Sequence, residues 1–151
     1  MSGIVVVSGN PRAGSRTSTL AVAVGTALGG ASEVVEVGAL GAGLLTPGDP
    51  ATAAAVAAVQ GADLLVVATP TYKGSYTGIL KVLLDQLPAN ALAGKHAVPV
   101  TVAGIAPQAE AAAALLAQLL GELGATVLPA LPVVEADLPE AGTIAAKYAA
   151  G

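Results

Sequence analysis

The chain is 151 residues long, 54% hydrophobic yet only 2% aromatic, with a formal charge of -4 and six Lys and Arg in all. That length suits one domain, residues 1–151, burying roughly two-thirds of its unfolded surface, and the acidic balance argues against nucleic acid or an anionic membrane as partner. With no cysteine, disulfides, thiol nucleophiles, Cys-ligated zinc and iron–sulfur clusters are excluded.

The chain opens on Met1-Ser2-Gly3 with none of the basic flank, apolar stretch and cleavage site of a secretion signal, so a cytoplasmic location is expected. Ile4-Val5-Val6-Val7 is β-branched without alternation, the pattern of a strand covered on both faces. Residues 15–28 follow as a helix closed by Gly29-Gly30, and Glu33-Val34-Val35-Glu36-Val37 alternates partly, as an edge strand would. Residues 38–49 read as a loop rich in Gly and Pro, 50–60 as a helix with Pro50 in its first turn, and 63–69 as a second buried strand. The third helix is expected over 75–87, a strand over 97–103, a helix over 108–123, a strand over 125–134 and a short helix over 141–150. Five strands alternating with helices imply a parallel, doubly wound sheet with right-handed crossovers, whose ligands bind beyond the carboxyl ends of the strands.

Both arginines, Arg12 and Arg16, fall in one loop between the first strand and first helix, Ser8-Gly9-Asn10-Pro11-Arg12-Ala13-Gly14-Ser15-Arg16-Thr17-Ser18. A strand-to-helix loop aims free backbone N–H groups and the positive end of the helix dipole at one point, where an anion fits. Ser15 and Thr17 offer hydroxyls and the arginines can fork onto phosphate oxygens. Capping by Ser15 or Thr17 accounts for the hydroxyls without a ligand, but not for both arginines standing here. Ser15-Arg16 stands where a P-loop needs Lys then Ser or Thr, and Asn10-Pro11 breaks the dinucleotide Gly-x-Gly-x-x-Gly, so neither motif is written here.

Two of the three tyrosines lie in Pro70-Thr71-Tyr72-Lys73-Gly74-Ser75-Tyr76, between the third strand and third helix and on the same sheet edge. Such a loop suits a planar heterocycle: apolar contact from Pro70 and Tyr72, close approach at Gly74. His96 is expected at the opposite end of its strand, without a catalytic role, and Lys81 and Asp85 as an i,i+4 surface pair. Glu33, Glu36, Glu110, Glu122 and Glu140 form no paired-carboxylate or metal-ligand pattern and read as solvated, and Tyr148 carries no assignment.

The segment 10–17, Asn10-Pro11-Arg12-Ala13-Gly14-Ser15-Arg16-Thr17, resembles the phosphate loop of the NADPH-dependent FMN reductases, and residues 68–88 are similar throughout to that family's flavin-ring loop and following helix. The likeness is strongest to the flavin reductases that supply alkanesulfonate monooxygenases and extends over about residues 4–135. It implies a flavodoxin-like, three-layer, five-stranded sheet of order 2-1-3-4-5. It also implies an FMN phosphate held by Asn10, Arg12, Ser15, Arg16 and Thr17, and a flavin ring held by Pro70, Thr71, Tyr72, Lys73, Gly74 and the backbone of Gly104. The implied activity is hydride transfer from NADPH or NADH to FMN and on to an acceptor such as an oxygenase partner or quinone, with no protein acid or base. Relatives imply a homodimer or homotetramer, for which the small side chains Ala111–Ala114 offer a close-packing face. The chain departs from the family in Asn10 for the usual Ser, in Gly104-Ile105-Ala106-Pro107 after the fourth strand, and in Ala114 where sulfonate-associated relatives carry a tyrosine. A flavodoxin-like electron carrier and a flavin-free interaction domain are the alternatives.

Overall fold

The structure, a computed structural model, describes residues 3–31 and 33–151. Its sheet is parallel: β1 (Ile4–Ser8) lies between β2 (Glu33–Glu36) and β3 (Leu64–Pro70), and β4 (His96–Ala103) follows β3. The short strands β5 (Thr126–Val127) and β6 (Leu131–Val134) both pair with β4. The order is β2-β1-β3-β4-β5, with β6 off that path on β4.

The runs without alternation are buried throughout, every residue of β1 and all of β3 except Pro70. Odd and even positions serve opposite layers, because side chains along a strand alternate in direction. Val5, Val7, Leu65 and Val67 pack with α2 (Pro50–Gly61), α3 (Gly78–Leu84) and α4 (Ala106–Glu122). Ile4, Val6, Val66 and Ala68 pack with α1 (Arg16–Ala27) and α5 (Ala141–Ala150) on the other face. With no Trp or Phe in the chain, the core is a sum of Val, Leu and Ala contacts, each larger side chain contributing about 1.5–3 kcal/mol.

Four expectations are corrected. Residues 37–45 are not open loop but 3-10 turns, broken at Gly41 with φ 55°. The third helix is shorter than 75–87, because residues 72–75 close a tight hairpin and Thr77 caps the helix, its Oγ1 accepting from Leu80 N–H. The fifth strand is split: Ala97 pairs with Val127 but Val100 with Leu131, so the β5–β6 side carries one extra residue around Pro129, which has no N–H to give the ladder. Of the alanines expected on an outer face, Ala112 and Ala113 are buried in the protein's own core, and only Ala111 and Ala114 are exposed.

Smaller features fall into place. His96 opens β4, at the end away from the loops that follow the strands. Lys81 Nζ donates to Asp85 Oδ1 at 2.7 Å on an exposed surface, where such a pair adds little stability. Tyr148, on α5, donates its hydroxyl proton to the Pro129 carbonyl at 2.6 Å and so ties the terminal helix to the strand break.

Candidate functional site

All the strands being parallel, their carboxyl ends share one edge. The register pairs Ser8 with both Glu36 and Ala68, Pro70 with Val102 and Ala103 with Val134. The segments that follow, 9–15, 71–77, 104–105 and 135–140, are thereby gathered along that edge, beside the point where the chain order reverses between β1 and β3.

The 9–15 loop is held by its own polar groups. Asn10 Oδ1 accepts from Arg12 N–H at 2.9 Å, while its Nδ2 donates to Thr17 Oγ1 at 3.3 Å. Ser15 caps α1, its Oγ accepting from Ser18 N–H at 3.2 Å, worth about 1 kcal/mol. Gly14 takes φ 69°, which a side chain would resist. The Thr17 hydroxyl, already accepting from Asn10, keeps its proton for something outside the loop. Among the described residues, neither Arg12 nor Arg16 has an ion-pair partner, and both are exposed.

The 71–77 segment is a two-residue hairpin. Tyr72 N–H donates to Ser75 O at 2.9 Å and Ser75 N–H to Tyr72 O at 3.3 Å, with Lys73 at φ 54° and Gly74 at φ 81° between them. Two successive positive φ values are those of a type I′ turn, whose twist matches its flanks; a lysine in the first of them costs about 1 kcal/mol. The hairpin is locked to the first loop by Thr77, whose hydroxyl donates to the Gly9 carbonyl at 2.7 Å. Leu80 packs where a side chain on Gly9 would go: a Cβ there would stand 3.0 Å from Leu80 Cβ.

Between the two loops lies a cleft of about 150 Å³ lined by Asn10, Arg12, Ser15, Arg16, Thr17, Pro70, Tyr72, Val102, Glu135 and Leu138. Seven of the eleven site residues read from the sequence therefore share one cavity. Thr71, Lys73, Gly74 and Gly104 do not line it: Lys73 and Gly74 form the hairpin tip, and Gly104 stands exposed just past β4. An apolar hollow of about 380 Å³ adjoins it, sharing Tyr72 and continuing over Pro11, Ile79 and Val82. A larger hollow, about 520 Å³, lies farther along this flank between residues 44–49, α2 and α3 and touches neither arginine.

Three residues of the cleft escaped the sequence reading. Val102 arrives from β4, paired with Pro70 of β3, and Glu135 and Leu138 come from the turn after β6, which only the pairing of β6 with β4 brings there. Glu36 is also corrected. It is not solvated but half-buried, accepting from Gly14 N–H at 2.9 Å and from the Ser18 hydroxyl at 2.7 Å. Its place at the carboxyl end of β2, paired with Ser8, carries it to the start of α1.

The donor set fits a phosphate bearing a flat apolar group. Two guanidinium groups without ion-pair partners among the described residues and a free Thr17 proton stand at a helix start. Pro70 and Tyr72 supply the apolar wall, and in the same loop Thr71 Oγ1 is a buried polar atom with no partner among the described residues. Such an atom is costly unless a ligand or water satisfies it.

Residues 3–137 match the family model described as NADPH-dependent FMN reductase. The chain is 38% identical over 109 residues to an FMN reductase (NADPH) of Escherichia coli strain K12, covering 67% of this chain and 56% of that protein. It is 41% identical over 98 residues to the NADH-dependent FMN reductase SfnF of Pseudomonas fluorescens strain Pf0-1, covering 59% of this chain and 52% of that protein. The chain thus spans about half the length of these curated relatives. Among solved structures it is similar to the apo form of an NADH:FMN oxidoreductase (EMOB), with a TM-score of 0.81 and 32% identity over 97% of this chain and 88% of that one.

Proposed function

The chain belongs to the NADPH-dependent FMN reductase family, and from that premise we propose that it is an FMN-dependent NAD(P)H oxidoreductase. The observation that carries the reading is the cleft in which Arg12, Arg16 and Thr17 stand opposite Pro70 and Tyr72. Arg12 and Arg16 fork onto the phosphate, with Thr17, Asn10 and Ser15 completing its shell at the start of α1. Pro70 and Tyr72 carry the ring edge and leave its outer face open; Thr71 Oγ1, the Lys73 and Gly74 backbone N–H groups and the backbone at Gly104 supply donors along the rim. When bound, FMN supplies the chemistry, accepting hydride from NADPH or NADH and passing electrons to a second acceptor. The chain binds and orients, and no side chain is assigned as acid or base.

We place the protein in the cytoplasm, as one FMN-binding unit that assembles as a homodimer or homotetramer. No described helix is long and apolar enough to cross a membrane. The exposed Ala111, Ala114 and Leu115 of α4 and Leu45 beside α3 are among the apolar groups available for self-association. An oxygenase or a quinone is the proposed electron acceptor.

Flavin titration tests the site. Arg16→Ala should weaken FMN by about tenfold or more, the loss expected for a charge-assisted phosphate bond of ~1.5–3 kcal/mol, and leave riboflavin within about twofold. Equal losses for both flavins would remove the phosphate from this loop. FMN-saturated protein whose flavin fails to bleach under anaerobic NADPH or NADH would remove the reductase activity.

A further inference from the structure

We propose that Glu36 sets how tightly the phosphate is held, acting through the loop that binds it and through its own charge. The inference rests on the phosphate placement proposed above. Glu36 is the last residue of β2, and its carboxylate reaches across to the anion loop: Oε2 accepts from Gly14 N–H and Oε1 lies 2.7 Å from Ser18 Oγ. Ser18 Oγ is equally 2.7 Å from Ser8 Oγ. One hydroxyl proton cannot serve both contacts. A carboxylate only accepts, so the Ser18 proton goes to Glu36 and the Ser8 hydroxyl donates to Ser18 in turn. Glu36 therefore anchors a buried chain of hydroxyls beneath the loop and fixes Gly14, the residue at φ 69° that precedes the α1 cap.

That anchoring has an electrostatic side. The Gly14 N–H lies in the anion loop one residue before the α1 cap, and it is committed to an internal carboxylate rather than to a ligand. Among the described residues no ion pair joins Glu36 to Arg12 or Arg16, so its charge is not neutralised by the groups that would meet the phosphate. Glu135 lines the cleft itself, whereas Glu36 is bonded to the loop that walls it. The two arginines thus have one carboxylate beside them in the cleft and a second bonded to the backbone of their own loop, an arrangement that orders the loop but restrains its pull on a phosphate.

The test separates the two roles. Glu36→Gln keeps an oxygen for Gly14 N–H and an amide to meet Ser18, while removing the charge. FMN affinity, read by fluorescence titration at low salt, is expected to rise about tenfold, with riboflavin affinity and the melting temperature unchanged; the gain should shrink as salt screens the site. An unchanged or lowered ratio of FMN to riboflavin affinity in Glu36→Gln overturns the inference. Arg16→Ala, measured alongside, tells the two failures apart: if it lowers that ratio while Glu36→Gln does not raise it, the phosphate is correctly placed and Glu36 is only structural. If neither variant moves the ratio, the phosphate placement fails first and takes the Glu36 inference with it.

Discussion

Gly38→Ala tests the coupling between the second strand and the anion loop. Gly38 lies in the 3-10 segment after β2, and a Cβ built there falls on the Pro11 carbonyl and stands 2.6 Å from the Asn10 carbonyl oxygen. A carbon and a carbonyl oxygen approach no closer than about 3.3 Å, so the loop must retreat by more than ~0.7 Å at Asn10, and farther at Pro11. Both clashing groups are backbone and cannot rotate away. Overpacking of this kind costs about 1–3 kcal/mol, which in a domain of this size lowers the melting temperature by roughly 2–4 °C per kcal/mol. Displacement near 1 Å also takes the Asn10 amide and Arg12 off their positions, and FMN affinity should fall by about tenfold or more, while riboflavin falls less. Thermal melting and parallel titration of the two flavins measure both effects. Gly61→Ala is the control: it ends α2 with nothing within 4 Å of the added methyl, and alanine there is neutral or slightly stabilising. Wild-type stability and FMN affinity in Gly38→Ala would refute the claim that loop 10–11 is pinned against residue 38.

Thr77→Val should cost about 2–3 kcal/mol in urea unfolding. It removes the α3 cap and leaves the Gly9 carbonyl without the donor it has at 2.7 Å, whereas Thr77→Ser should recover most of the loss. Lys73→Asn should raise stability by about 0.5–1 kcal/mol, because asparagine tolerates the φ of 54° and makes the Asn-Gly pair favoured by type I′ turns; a destabilised variant would mean the lysine side chain is itself in use. Burial raises the Tyr148 pKa above its ordinary 10.0. The unfolded chain then loses this proton first, so the stabilisation is complete below pH 10 and is lost as pH rises through the folded value. Wild type should therefore weaken more steeply than Tyr148→Phe above about pH 10, and parallel slopes in the two unfolding curves would contradict this.

What could be read from the chain alone was local chemistry. β-branched runs without alternation mark buried strands because a sheet covered on both faces needs apolar side chains at every position, and Ile4–Val7 and Leu64–Ala68 behave so. Arg12, Arg16 and Tyr72 stood out because scarce residue types lay next to strand ends. The tertiary structure decided which distant residues meet there. Glu36 looked like any charge on an edge strand, and only the parallel register of β2 on β1 turns it toward Gly14 and Ser18. A clue existed, since a 2-1-3 order already sets the end of the second strand beside the end of the first. The turn that brings Glu135 and Leu138 into the cleft has no such clue, because it depends on the extra residue that shifts β6 along β4. Gly38 was legible only as part of a loop rich in Gly and Pro, although it is the close approach of the Pro11 backbone that demands it. Helix and strand content follow from periodicity within a few residues, whereas a binding cleft is made from contacts dozens of residues apart, whose geometry comes from register and packing.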